Sequence, residues 1–123
     1  MLHLLYEAEQ RGVGVQRVLD DQVLPPDDYT VEILVGVEVE RDALDATIGR
    51  LAKGWTLDRM PTMDRLVLEI GIFELIFRPD VPTAVVLNEA VELVNQYSTD
   101  DSGRFVNGVL AAVAAELPPR PTD

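Results

Sequence analysis

Apolar residues along this chain recur mainly at three- and four-residue spacing, the mark of amphipathic helices. Leu4, Leu5 and Ala8 share one side of a segment from Leu2 to Gln10, which predicts a first helix ending at Arg11-Gly12. No capping residue precedes it, which suggests an earlier stretch that is missing or never existed. Val15, Val18 and Leu19 predict a short second helix within Val13 to Val23. Pro25-Pro26 breaks the chain, and Asp27 or Asp28 is placed to cap a third helix.

From Tyr29 to Leu51 two patterns compete. Val31, Ile33, Val35, Val37 and Val39 alternate, and their β-branching agrees with a strand. Leu34, Val37, Leu44, Ile48 and Leu51 instead recur at helical spacing without a break. Length decides for one long helix, ended by Gly54. Pro61 stands near the start of the next, where its missing N–H costs little. Met63 to Phe77 is apolar almost all round, so this helix is expected at the centre of the fold. Pro79 stops it. Thr83 can cap a helix running to about Tyr97, with Val86, Leu87, Ala90, Val91 and Val94 inward. The cluster Thr99-Asp100-Asp101-Ser102 introduces a last helix carrying Phe105, Val109, Leu110 and Val113. The pattern predicts an all-α protein with a single domain over residues 1–117 and a C-terminal tail over 118–123.

Composition narrows the function. Twenty-two acidic residues against ten basic ones give a net charge of −12, which repels phosphate backbones and anionic membranes and favours a basic partner. No cysteine is present, so disulfides, thiolate nucleophiles and cysteine zinc sites are excluded, and a reducing cytoplasm fits. No apolar run approaches the roughly 18–20 residues of a membrane span. The single histidine, His3, reads as an exposed helix residue. Neither Ser98 nor Ser102 lies in a nucleophile elbow, and no phosphate-binding loop or dinucleotide fingerprint occurs. The reading is a binding protein without catalysis, metal or cofactor.

Three stretches are more specific. The first is Trp55-Thr56-Leu57-Asp58-Arg59-Met60-Pro61, with Met63-Asp64-Arg65 and Phe73-Glu74-Leu75 after it. The second is Asp80-Val81-Pro82, then Leu87-Asn88-Glu89-Ala90-Val91-Glu92-Leu93. The third is Ser102-Gly103-Arg104-Phe105-Val106-Asn107-Gly108-Val109-Leu110. In this order and spacing, and with the opening Leu4-Leu5-Tyr6-Glu7, the chain from about residue 2 to 114 resembles the NusB family of bacterial transcription antitermination factors.

The resemblance implies an all-α fold of two small helical bundles. It also implies binding of boxA RNA together with NusE, a ribosomal protein that doubles as an antitermination factor. That complex helps RNA polymerase read through terminators in ribosomal RNA operons. Tyr6, Asp58 and Asp64 match positions that meet NusE. Three departures stand out. No arginine-rich stretch precedes Met1, and Glu69 and Asn95 stand where basic residues are common. Each lowers the expected affinity of this chain alone for RNA.

The candidate RNA residues are Asp101, Ser102, Arg104 and Phe105. Phe105 is either a core aromatic in register with Val109 or a base-stacking platform. Asp101 and Ser102 suit capping, and a helix N-terminus also offers N–H groups to phosphate. Arg104 has no core role and suits a phosphate contact. Trp55 reads as core or boundary packing. Asn88 and Glu89 are expected to hydrogen-bond across the bundle. Gly108 is costly in a helix, and close packing of a second helix over it is the expected reason. Two other readings stay open: a NusB-like domain cut from a ribosomal RNA cytosine methyltransferase, and an acidic helical scaffold for another basic protein.

Overall fold

The computed structural model describes residues 1–98 and 100–123. It has six helices: α1 (Leu2–Arg11), α2 (Val15–Asp20), α3 (Asp28–Leu51), α4 (Thr62–Phe77), α5 (Thr83–Tyr97) and α6 (Asp100–Glu116). No strand occurs among the described residues. The capping roles expected of Thr99 and of the Asp100 side chain fall outside the described residues.

The helix ends obey local chemistry. Gly12 adopts φ 65°, a left-handed turn that side chains disfavour, and it closes α1 with the Val13 N–H returning to the Ala8 carbonyl at 3.1 Å. Asp27 caps α3 by accepting from the Thr30 N–H at 3.0 Å. The long helix ends at Leu51, short of Gly54, which takes φ 83° in the turn before Trp55. The alternating valines belong to this helix. Ile33 and Val37 are buried, whereas Val35 and Val39 lie on the solvent side at 38% and 74% exposure. Extra apolar residues on the outer face therefore imitate a strand pattern.

Helix α4 is the centre. From Asp64 to Leu75 every residue but Arg65 is buried. One side packs on α1 and α3 and the other on α5 and α6, so two small bundles share this helix. Two glycines make the approach possible. A methyl group at Gly36 would overlap the Phe73 ring, and one at Gly71 would lie 2.9 Å from Leu110 Cδ1. The close approach expected at Gly108 is not there: this residue is exposed, with nothing within 4 Å of a Cβ.

Charges are also enclosed. Glu69 is fully buried, with Oε2 accepting from Arg65 Nη1 at 3.1 Å and Oε1 lying 3.4 Å from Arg41 Nη2. Arg65 pairs with Glu9 of α1 as well. Burial, and then the neighbouring Asp45 carboxyl, push Glu69 up to about 8. The acidic residue at this position is thus held between two arginines of its own fold.

The chain after α6 folds back. Arg120, 9% exposed, donates from Nε to the Val81 carbonyl at 2.7 Å and from Nη2 to that of Glu74 at 3.2 Å. It also reaches the carbonyls of Leu75 and Arg78. These groups cluster at the end of α4, where helix geometry leaves carbonyls without partners. Asp123 accepts from the Thr83 N–H at 2.8 Å and from its hydroxyl at 2.7 Å. The start of α5 is therefore capped from the tail, not by Thr83 itself.

Candidate functional site

Helix α6 begins beside the start of α4, and the two ends enclose a cavity of about 480 Å³ lined by Trp55, Pro61, Asp64, Ser98, Asp101, Ser102 and Phe105. Trp55 comes from the α3–α4 connection, held by the turn around Gly54. Trp55 is 46% exposed, and its ring lies 5.7 Å from the ring of the half-buried Phe105, centroid to centroid, tilted by 35°. Two aromatic faces thus meet at the surface over hydrogen-bonding groups.

Those groups are specific. Asp64, in the first turn of α4, is 2% exposed, and its Oδ1 has no hydrogen-bond partner among the described residues. A buried acceptor without a donor costs the folded state about 1–3 kcal/mol. Ser102 is buried, and its hydroxyl lies 2.8 Å from that of Ser98, so one serine hydrogen lies between the two oxygens. Asp101 is exposed and Arg104 points into solvent at 83% side-chain exposure, joined to Asp101 at 3.3 Å. An ion pair so exposed holds neither side chain firmly. The cavity can take a flat ring or cation against its aromatic faces, with the exposed Asp101 carboxylate at its rim.

The structure brings Asp64, Asp101, Ser102 and Phe105 together around this cavity, although the sequence places Asp64 at the contact with a protein and the others at RNA. Arg104 lies one residue away and faces elsewhere. Tyr6 is half-buried on α1, Asp58 is exposed before α4, and neither lines the cavity. Trp55 is the residue that sequence reasoning missed: packing explains its type, and no spacing links it to Phe105. Asn88 and Glu89 are exposed, and neither makes a side-chain hydrogen bond among the described residues. The expectation that they tie the bundle together is not met.

An exposed Trp55 and a half-buried Phe105 over a mainly apolar cavity, in a small all-α fold, are suited to binding. Comparison with known proteins makes this specific. The model of the NusB family matches residues 2–115. Transcription antitermination protein NusB of Saccharopolyspora erythraea is 49% identical over 117 residues, covering 90% of this chain and 79% of that protein. The protein of the same name from Streptomyces avermitilis is 42% identical, over 94% of this chain and 86% of its own length. Among solved structures, T. maritima NusB superposes with a TM-score of 0.85 at 30% identity, covering 98% of this chain and 89% of that one. A structure of antitermination factors NusB and NusE in complex with dsRNA superposes with a TM-score of 0.79 at 25% identity, over 94% and 91%. The chain belongs to the NusB family.

Proposed function

We propose that this protein is a bacterial transcription antitermination factor that binds boxA RNA together with NusE and so promotes read-through by RNA polymerase in ribosomal RNA operons. The observation that carries the reading is the cavity where α6 meets α4, with the exposed Trp55 ring and the half-buried Phe105 ring over the buried Asp64. The partners present in the related NusB–NusE–RNA structure support it.

In this reading Phe105 stacks on an RNA base, and Arg104 with the first turn of α6 meets phosphate. Asp101 and Ser102 offer hydrogen bonds at the rim. Asp58 and Tyr6 face NusE, with Asp64 meeting it from the cavity that also holds Phe105, and the positive charge of NusE complements a protein of net charge −12. The protein works in the cytoplasm within the transcription complex; no described helix is long and apolar enough to cross a membrane.

The test is a titration with boxA RNA, with and without NusE, over a range of salt. The isolated chain should bind weakly with a shallow salt slope, and the binary complex should bind much more tightly with a steeper one. Phe105→Ala should weaken the complex at every salt concentration. Arg104→Ala should mainly flatten the slope. Tight, strongly salt-dependent binding by the isolated chain would contradict this distribution of charge. Absence of binding even with NusE would remove the RNA function.

A further inference from the structure

We infer that the cleft between α5 and α6 is a second nucleotide-binding surface, in which asparagine amides hold an unpaired RNA base next to the nucleotide that meets Phe105. The inference rests on the RNA reading above and extends it to residues that reading does not use.

Neighbouring residues of a helix point roughly 100° apart, and the start of α6 exploits this. Phe105 faces the Trp55 cavity, while Arg104 lines a separate cleft of about 710 Å³ with Asn88, Asn95 and Asn107. Asn88 and Asn95 lie about two turns apart on α5, and Asn107 faces them from α6. Gly103 lets the helices close on this spot, since a Cβ there would sit 2.7 Å from Asn95 Oδ1 and push the amide aside. All three amides are exposed, and none makes a side-chain hydrogen bond among the described residues. Among the described residues, each has a carbonyl acceptor and two N–H donors left for a ligand. Val91 supplies an apolar strip between them.

Position and side-chain chemistry identify the occupant as RNA. The protein as a whole is strongly acidic, yet this cleft is lined by one carboxylate, Glu92, by Arg104, which pairs with Asp101 at 3.3 Å, and by neutral amides. A phosphate backbone meets less repulsion there than over the protein as a whole. Amide side chains match the hydrogen-bonding edges of unpaired bases. The cleft also shares the turn of α6 that carries Phe105, so a strand stacked on that ring passes Arg104 as it enters. A peptide segment of a protein partner would use the same amides, but it would not require this continuity with the stacking ring.

The experiment uses the full chain in complex with NusE and boxA oligonucleotides in which single bases are exchanged. Asn95→Ala with Asn107→Ala should weaken RNA binding about tenfold, the worth of one or two net hydrogen bonds. The loss should be equal at every salt concentration, because amide contacts release no counterions. Discrimination among bases should fall at one position beside the stacked nucleotide. Gly103→Ala, which displaces the Asn95 amide while keeping it, should give a smaller loss in the same direction. Unchanged melting temperatures establish that the variants fold. Affinity within twofold of the native complex in the double variant, with loss in Phe105→Ala, would overturn the inference and leave the RNA function standing. Loss of NusE binding in the absence of RNA would assign the cleft to the protein partner and overturn it too. Failure of the native complex to bind RNA would remove both.

Discussion

At one end of α4, Arg120 is folded under the chain and commits its guanidinium to four backbone carbonyls; at the other end, Asp64 is more deeply buried and has an oxygen with no donor among the described residues. The two places differ in what surrounds them. The Arg120 end is closed by the chain's own return, with Asp123 capping α5 alongside. The Asp64 end opens to the surface between two aromatic rings. A polar group fully matched within the molecule serves stability. One left unmatched beside an open cavity adds nothing to stability. The contrast between the ends of one helix separates the part of the fold that holds it together from the part available to a partner.

Removing Arg120 should break this contrast most severely. Arg120→Ala leaves several carbonyls short of donors and should cost about 3 kcal/mol, measured by urea denaturation, without weakening RNA or NusE binding at matched folded concentration. Arg120→Lys should recover only part, because an ammonium cannot span the same carbonyls.

The next effect concerns pH and the charges between α3 and α4. Glu69 is raised from an ordinary value of 4.5 to about 8 in the folded protein. Its neutral form is therefore favoured by folding, and that stabilisation is complete below about 4.5 and lost as pH rises through about 8. Thermal melts should show stability falling across that window, and Glu69→Gln should flatten the fall. An equal slope in the variant would place the proton elsewhere.

Asp64→Asn sharpens the comparison from the open end. It removes a buried carboxylate that lacks a donor, so stability should rise by about 1 kcal/mol. Association with NusE, measured by calorimetry, should weaken at the same time. A loss of stability would mean that Asp64 is matched in the free protein. The smallest effect is expected at Gly108, which packs against nothing: Gly108→Ala should stabilise by at most about 1 kcal/mol through helix propensity alone.

The sequence is legible wherever one helix face suffices. The buried apolar positions of α4 can be read from its nearly all-round apolar pattern, and α3 from residues such as Leu44 and Ile48, whereas the burial of Asp64, Glu69 and Glu74 cannot. Glycine roles are not legible, because Gly36, Gly71 and Gly108 look alike until the crossing points of the helices are known. Only the first two lie at such points. The tail reads as an ending because Pro118 and Pro119 break a helix, and nothing in its pattern shows that Arg120 reaches back to α4. Of the site, the residues from Asp101 to Phe105 are legible as one helix start. Trp55 and Asp64 join them only through the fold, which brings the starts of α4 and α6 together across some forty residues of sequence.

The clamp made by Arg120 and Asp123 also fixes an order of events during synthesis. Helices α4 and α5 leave the ribosome well before residue 120, by a few seconds at about 5–20 residues per second. Over that interval the end of α4 and the start of α5 have no partners except water. The two bundles can meet early, but the bonds that close their shared helix form only after residue 123 has emerged, so a nascent chain paused in α6 lacks the clamp at the turn between α4 and α5.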